Sequence, residues 1–456
     1  MLVNSRRNKD LSVQIVPPTT ARIAPEQFSD GLFFARHRVA AVALGILMLL
    51  GFALRVNDLG VESLGEDEFN KLQTVQEYRT NGLSGKNGEH PFLMKGLQTL
   101  SIASAERLNK FVSQQLYISE EAALRFPIAL FGTFSILLIF LLVSELFGRS
   151  IGLVSAALLA VEPMAIGFDR IAKEDSLVLF FFLLTSLFFV KSQTKAERGE
   201  ANWIRYVWGA AAGFGALMAS KYYPFFLSII AGYYHLFLNL PGNKWNIGNL
   251  RWIKFFFVMG VTFLILNPTI MLPDTWREML KFSSESRIGH DSYEFMGSLY
   301  THKVTDWLAG VPWTFYYVFI AVKTSLITLA FFLIGLPIMF KRRLGDGRFF
   351  ILLWAFLWFM PFTVIGGKFA RYFTFAEPLI LIVAAVGFCF AMKWLTEKLF
   401  GNSPLSFVCQ LILIGLLIAA PLFNALSAAP HFRMFTNQIG GGMAAAGTYF
   451  PHDEFY

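Results

Sequence analysis

Little in this chain is charged, and almost nothing is cysteine. Only 15% of its 456 residues are Asp, Glu, Lys or Arg, against about 25% in a soluble domain. Hydrophobic residues make up 55%, and 50 residues are Phe. That much apolar surface cannot be hidden inside soluble units, although the length alone would allow about three of them. Two cysteines, Cys389 and Cys409, lie in or beside apolar runs; they can make neither a zinc framework nor a disulfide scaffold. The phosphate-cradling pattern G-x-x-x-x-G-K-[ST] does not occur, which argues against an ATP-driven pump. No clear internal repeat is present, which weakens a secondary transporter built from repeated halves. The surviving class is an all-α polytopic membrane protein. Its net charge of +8 is first a matter for the positive-inside rule; no nucleic-acid partner is expected.

A bilayer core needs roughly 20 apolar residues per helix. Runs near 39–57, 125–147, 150–168, 175–191, 205–220, 222–240, 252–272, 313–340, 348–365, 372–393 and 405–427 predict about eleven spans. The first is too long for a signal-peptide core, so an uncleaved anchor is expected. Residues 92–117 are ambiguous, because Lys95, Glu106, Arg107 and Lys110 interrupt them. Orientation decides. With Arg6, Arg7, Lys9, Arg22, Arg36 and Arg38 in the cytoplasm, a non-spanning 92–117 also places Lys191, Lys195 and Arg198, then Lys244, Arg251 and Lys254, then Lys341, Arg342 and Arg343 inside. Positive-inside therefore predicts amphipathic helices on the outer face for 92–117. The domain reading follows: residues 1–38 as a cytoplasmic arm, 39–427 as a transmembrane domain, and 428–456 as an outer-face segment that starts a further domain. Two long outer loops, about 58–124 and 273–311, remain.

Chemistry concentrates in those outer segments. Glu62, Glu66, Asp67, Glu68 and Lys71 fall within E-S-L-G-E-D-E-F-N-K. Clustered carboxylates raise one another's pKa and suit a proton acceptor; a solvated acidic loop is the plainer alternative. In E-H-P-F-L-M-K, Pro91 suits a helix start. His90 and Lys95 are placed across that turn to reach an anion, unless the lysine merely snorkels. The third cluster, D-R-I-A-K-E-D-S, holds Asp169, Arg170, Lys173, Glu174, Asp175 and Ser176 just before an apolar run. Helix capping explains one acid there but not three acids and two bases, and charge at membrane depth is a functional signal. Lys221, Lys323, Lys368 and Arg371 recur singly on the same side. Each alone is explained by snorkelling; together they make a positive ring suited to phosphate.

At this point the sequence resembles the GT-C glycosyltransferases that use a polyprenyl- or dolichyl-phosphate sugar, and within them the protein O-mannosyltransferase family. The family's first-loop Asp-Glu resembles Asp67-Glu68, with Phe69 and Lys71 following. Its His-Pro-Pro-Leu-Gly-Lys resembles His90 to Lys95, although Phe92 replaces the second Pro and Met94 the Gly. Its Arg-x-x-x-x-Asp matches Arg170 and Asp175, and its later lysine Lys221. The segment His290 to Gly297, then Pro312-Trp313 and Lys323-Thr324, resembles the second outer loop of prokaryotic members; Arg371-Tyr372 resembles the late Arg-Tyr. The spacing after Asp67-Glu68 is one residue shorter than in the eukaryotic motif, and the second loop has no room for the eukaryotic β-trefoil insertion. A related branch resembles the aminoarabinose transferases that act on lipid A.

The resemblance implies a GT-C fold in a prokaryotic plasma membrane and an inverting transfer on the extracytoplasmic face. The partners it implies are a polyprenyl-phosphate sugar, with mannose favoured, membrane lipids, and an acceptor hydroxyl of a protein (Ser or Thr favoured) or a lipid. It implies Asp67 as the base, with Glu68 as the alternative, and Asp175 as holder of an acceptor or sugar hydroxyl. His90, Lys95, Lys221, His290, Lys323, Arg371 and Tyr372 are candidate substrate- or phosphate-binding residues; Arg170 orients Asp175 or binds phosphate. No resident cofactor is implied, the lipid-linked sugar being a co-substrate; a divalent cation is the alternative, because related oligosaccharyltransferases use one with outer-face carboxylates. The histidines lack H-x-x-x-H-type spacing. A lipid or solute transporter and a non-catalytic scaffold are the competing classes.

Overall fold

The computed structural model describes residues 37–284, 292–401 and 403–454. The helices are α1 (His37–Val56), α2 (Glu66–Asn81), α3 (Phe92–Asn109), α4 (Glu120–Phe147), α5 (Arg149–Val161), α6 (Pro163–Phe168), α7 (Asp175–Glu197), α8 (Ile204–Ser220), α9 (Leu227–Leu238), α10 (Asn249–Leu266), α11 (Pro273–Ser284), α12 (Phe315–Lys323), α13 (Leu326–Ile338), α14 (Arg348–Val364), α15 (Glu377–Phe400), α16 (Pro404–Ala428) and α17 (Pro451–Glu454). One hairpin joins them: β1 (Ser292–Phe295) and β2 (Ser298–Thr301) pair antiparallel. Its two-residue turn has positive φ at both Met296 and Gly297, the geometry whose twist matches a tight hairpin. This hairpin is the one departure from the all-α expectation among the described residues.

Every expected apolar run is helical, but not every run is one helix. Among the described residues six helices, α1, α4, α7, α10, α15 and most of α16, are long and apolar enough to cross a membrane; α5, α13, α14 and the stretch 224–238 are shorter apolar helices. The run 150–168 breaks at Glu162, where Pro163 opens α6, because proline cannot donate into a continuing helix. The run 313–340 breaks at Thr324–Ser325. The two breaks face each other. The Glu162 carboxylate accepts from Ser325 N at 2.6 Å and from Thr328 Oγ1 at 3.1 Å, so it satisfies the open N–H groups that begin α13. The ambiguous segment 92–117 forms α3 and a short 3₁₀ turn, and α3 packs along α2 and α4.

Burial ranks the helices. All of α5 from Ser150 to Val161 is buried, and most of α15. In α10 the one buried residue is Phe255. A helix apolar all round but buried is a bundle centre, and one apolar but bare faces lipid. α13 and α15 meet backbone to backbone. A Cβ on Gly335 would strike Val383 O, and one on Gly387 would strike Phe331 O. Small residues allow such approach where lipid supplies no hydrophobic drive. Gly415 on α16 has open space beside it. Gly335→Ala is therefore expected to lower stability by about 1–3 kcal/mol, while Gly415→Ala leaves it equal or higher; thermal unfolding in detergent compares the two.

Candidate functional site

The site begins with the seven-residue turn Asp169–Asp175 between α6 and α7. Its charged side chains reach four other elements. Asp169 Oδ2 accepts from Arg55 Nε of α1 at 2.8 Å. Lys173 Nζ donates to Asp67 Oδ2 of α2. Glu174 Oε1 lies 2.9 Å from Lys71 Nζ, also of α2, and 3.2 Å from His90 Nδ1 in the loop before α3. Asp175 Oδ1 accepts from Lys221 Nζ, just past α8, at 2.8 Å. Arg371 Nη2 approaches the same Asp67 oxygen, at 3.5 Å. Asp67, His90, Asp175, Lys221, Arg371 and Tyr372 therefore belong to one connected side-chain cluster, hereafter the cleft, together with Lys71, Lys173 and Glu174.

Aromatic rings hold the basic groups in place. Lys221 Nζ lies 4.7 Å from the Tyr223 ring centroid and 5.2 Å from that of Tyr372. The Arg371 guanidinium lies 4.2 Å over Phe369 and 5.8 Å from Tyr372. Such contacts add cation–π attraction and exclude water. Four cations, Lys71, Lys173, Lys221 and Arg371, face three carboxylates, Asp67, Glu174 and Asp175. With all four charged, the basic groups exceed these three carboxylates by one, although burial lowers the Lys173 ammonium to about 7. Burial alone would raise the Asp67 carboxyl, but the charges of Lys173, Arg371 and Lys71 outweigh it and hold it well below the usual range. Burial pushes His90 well below its ordinary value, so the ring is neutral at pH 7. Asp175 Oδ2 is buried and has no hydrogen-bond partner among the described residues, which leaves an acceptor for a ligand hydroxyl.

Other expected residues are placed elsewhere, each for a physical reason. Glu68 is 1% exposed. Arg125 Nε and Nη2 donate to its two oxygens at 2.9 and 2.7 Å, and the N–H groups of Ala172 and Gly65 donate at 2.7 and 3.1 Å. With its lone pairs so taken, Glu68 anchors α2. Arg170 does not reach Asp175. It donates to the carbonyls of Asn57 at 2.6 Å and Asp58 at 2.9 Å, and to those of Leu54 and Arg55, so it closes the C-terminus of α1. Lys95 Nζ donates to Asn87 O at 2.7 Å and His90 O at 2.9 Å, folding the loop onto α3 rather than reaching an anion. Lys323 is paired with Glu454 at 2.6 Å and donates to Arg433 O at 3.1 Å under the C-terminal segment. His290 lies outside the described residues. Arg125, by contrast, carried no signal in the sequence: it sits alone in the second turn of the apolar helix α4.

Among the described residues no three of His, Cys, Asp and Glu come together, and the cleft carboxylates already face lysine or arginine, which repel a metal ion. An apolar cavity of about 710 Å³ between α1, α3 and α4 is lined by residues such as Leu97, Leu108 and Phe126 and by none of the charged cleft residues.

A charged cluster at one end of a bundle of apolar helices, packed against α2 and α3, belongs to a fold shared with the GT-C glycosyltransferases. Comparison with known proteins agrees. Residues 112–271 match the family described as dolichyl-phosphate-mannose-protein mannosyltransferase. No curated protein sequence matches the chain significantly. The oligosaccharyltransferase of Archaeoglobus fulgidus tethered with an acceptor peptide superposes with a TM-score of 0.57 at 12% identity, over 86% of this chain and 55% of that one. AglB of the same organism, in complex with an inhibitory peptide and a dolichol-phosphate, gives 0.58 at 13%, over 87% and 56%. ArnT of Cupriavidus metallidurans bound to undecaprenyl phosphate gives 0.56 at 12%, over 91% and 75%. The chain thus spans little more than half the length of the archaeal enzymes it matches.

The Glu68–Arg125 pair gives a check on the anchoring role. Removing one partner of a buried ion pair costs about 3–5 kcal/mol, so Arg125→Met should sharply lower the detergent unfolding temperature. Burial alone would raise the Glu68 carboxyl, but Arg125 and the two N–H groups hold it below its ordinary value. Its stabilisation is then complete above pH ~4.3 and is lost as pH falls through the folded value. Glu68→Gln should flatten that acid limb of the stability curve.

Proposed function

We propose that this chain is a membrane glycosyltransferase that moves a sugar from a polyprenyl-phosphate donor to an acceptor hydroxyl on the extracytoplasmic face, with inversion. One observation carries the reading: a solvent-reachable carboxylate, Asp67, stands beside two fixed cations, Lys173 and Arg371, in a cleft with surplus positive charge. Glycosyl transfer from a phosphodiester needs that pairing. The acceptor hydroxyl gives its proton to Asp67 and attacks the anomeric carbon. The bond from that carbon to the phosphate oxygen breaks, and the polyprenyl phosphate departs with one more negative charge than it brought. Arg371, Lys173 and Lys221 meet that developing charge. Asp175, with one oxygen free of protein donors, orients a sugar or acceptor hydroxyl. A positioned base contributes about 10²–10⁴-fold.

Mannose as the sugar and a protein Ser or Thr as the acceptor are supported by the family match over 112–271. A lipid acceptor is the second reading, favoured by the larger share of ArnT that this chain covers, 75% against 55% of the archaeal oligosaccharyltransferase. The direct experiment incubates purified protein in nanodiscs with labelled polyprenyl-phosphate mannose and, separately, peptides or lipid A. Labelled product is expected in one arm. Asp67→Asn should lower turnover by about 10²-fold or more while the protein still binds donor; full activity in that variant would remove Asp67 as the base.

A further inference from the structure

Asp67 presents a difficulty for its own assigned role. A carboxylate held far below the usual range is a poor proton acceptor. Lys173 Nζ and Arg371 Nη2 converge on a single oxygen of it, Oδ2. That is the arrangement of an anion site with an anion already in it, and the anion is the protein's own.

Building on the donor-site reading above, we propose that Lys173 and Arg371 form the phosphate seat of the lipid donor, that Asp67 fills this seat in the empty enzyme, and that donor phosphate displaces Asp67 and so frees it to act on the acceptor.

Three features support the exchange. First, the cations are fixed and the carboxylate is not. The Lys173 side chain is 5% exposed and that of Arg371 14%, while that of Asp67 is 31% exposed. Arg371 lies against the Phe369 ring, and the neighbouring Ala370 N donates to Asp453 Oδ2 at 3.0 Å. Second, the exchange asks for a side-chain rotation only. The next residue, Glu68, is clamped by Arg125 and two backbone N–H groups, so the first turn of α2 stays in place while Asp67 turns. Third, a phosphodiester offers two non-bridging oxygens to the two cations that meet at Asp67 Oδ2, and charge-assisted bonds from lysine and arginine to phosphate are strong. The consequence follows from electrostatics. Once displaced, Asp67 loses its cationic partners and gains a phosphate as neighbour; both changes favour its protonated form and make it a better base. The acceptor is then activated only after the donor is seated.

The test uses undecaprenyl phosphate without sugar as the probe, the full chain in nanodiscs, and equilibrium binding as the readout. Removing the internal competitor should help the probe: Asp67→Asn is expected to bind it about tenfold more tightly than wild type, or better, as loss of a unit charge at contact distance implies. Lys173→Met and Arg371→Met should each weaken binding by about tenfold. Unchanged or weaker binding by a monodisperse Asp67→Asn overturns the exchange; should that variant not fold, unchanged binding by Lys173→Met and Arg371→Met does so. Failure here differs from failure of the function. If wild type transfers sugar but Asp67→Asn does not bind more tightly, only the exchange falls. If wild type transfers no sugar from any polyprenyl-phosphate donor, the glycosyltransferase reading falls with it.

Discussion

The charged turn Asp169–Asp175 is the constraint on which this end of the helix bundle depends. It is buried almost throughout, and a buried charge without a partner is far more costly than a lost hydrogen bond. Each of its charges therefore dictates where something else must be. Asp169 requires Arg55, which brings in α1. Lys173 and Glu174 require Asp67 and Lys71, which fix α2 across the turn. Asp175 requires Lys221, which sets the end of α8. Even the room is prescribed: a Cβ on Gly132 of α4 would strike the Asp169 carboxyl. The pairs act together with buried apolar contacts: Leu72 and Val75 of α2 and Ile102 and Ala105 of α3 pack on Ala123 and Leu124 of α4 and on Ala172 of the turn. The cleft is a by-product of that stitching. Where the turn, α2 and the end of α8 converge, cations and carboxylates are left facing one space.

Much of this was legible because the membrane makes sequence speak plainly. Lipid demands long apolar runs, so the helical segments could be read from composition. Charge beside such runs is rare, so Asp67, Asp175, Lys221 and Arg371 stood out, and all four meet in one cleft. The helix breaks at Glu162 and Ser325 were hidden, because each interrupts an apolar run with one or two residues and the compensating bond lies on another helix. Pairings were hidden for a similar reason. Nothing near Glu68 announces Arg125, and nothing near Lys323 announces Glu454; the two lysines that look like phosphate binders, Lys95 and Lys323, spend their charge on loop carbonyls and a distant carboxylate. Adjacent carboxylates also looked alike in sequence, yet α2 turns about 100° per residue. That rotation puts Glu68 inward against Arg125 and leaves Asp67 facing the cleft.

The placement of Lys323 has a wider meaning. Its partner Glu454 and the neighbouring Asp453 belong to α17, a short helix that folds back over the outer end of α12. Asp453 accepts from Tyr293 of β1 and from Ala370 N, next to Arg371. The loop that carries Arg371 is pinned from its other side as well, by Lys368 Nζ on Val311 O at 2.7 Å and by His302 Nε2 against Lys368 O at 2.8 Å. Two segments remote in sequence, residues 302–311 and the C-terminal residues, therefore converge on the loop that carries Arg371. Rigid cations are what a departing phosphate needs, since charges already in place need not reorganise as the bond breaks. A loop arginine held only by its own side chain would have to be ordered at that moment. Here the ordering is done in the fold, by residues remote in sequence from Arg371.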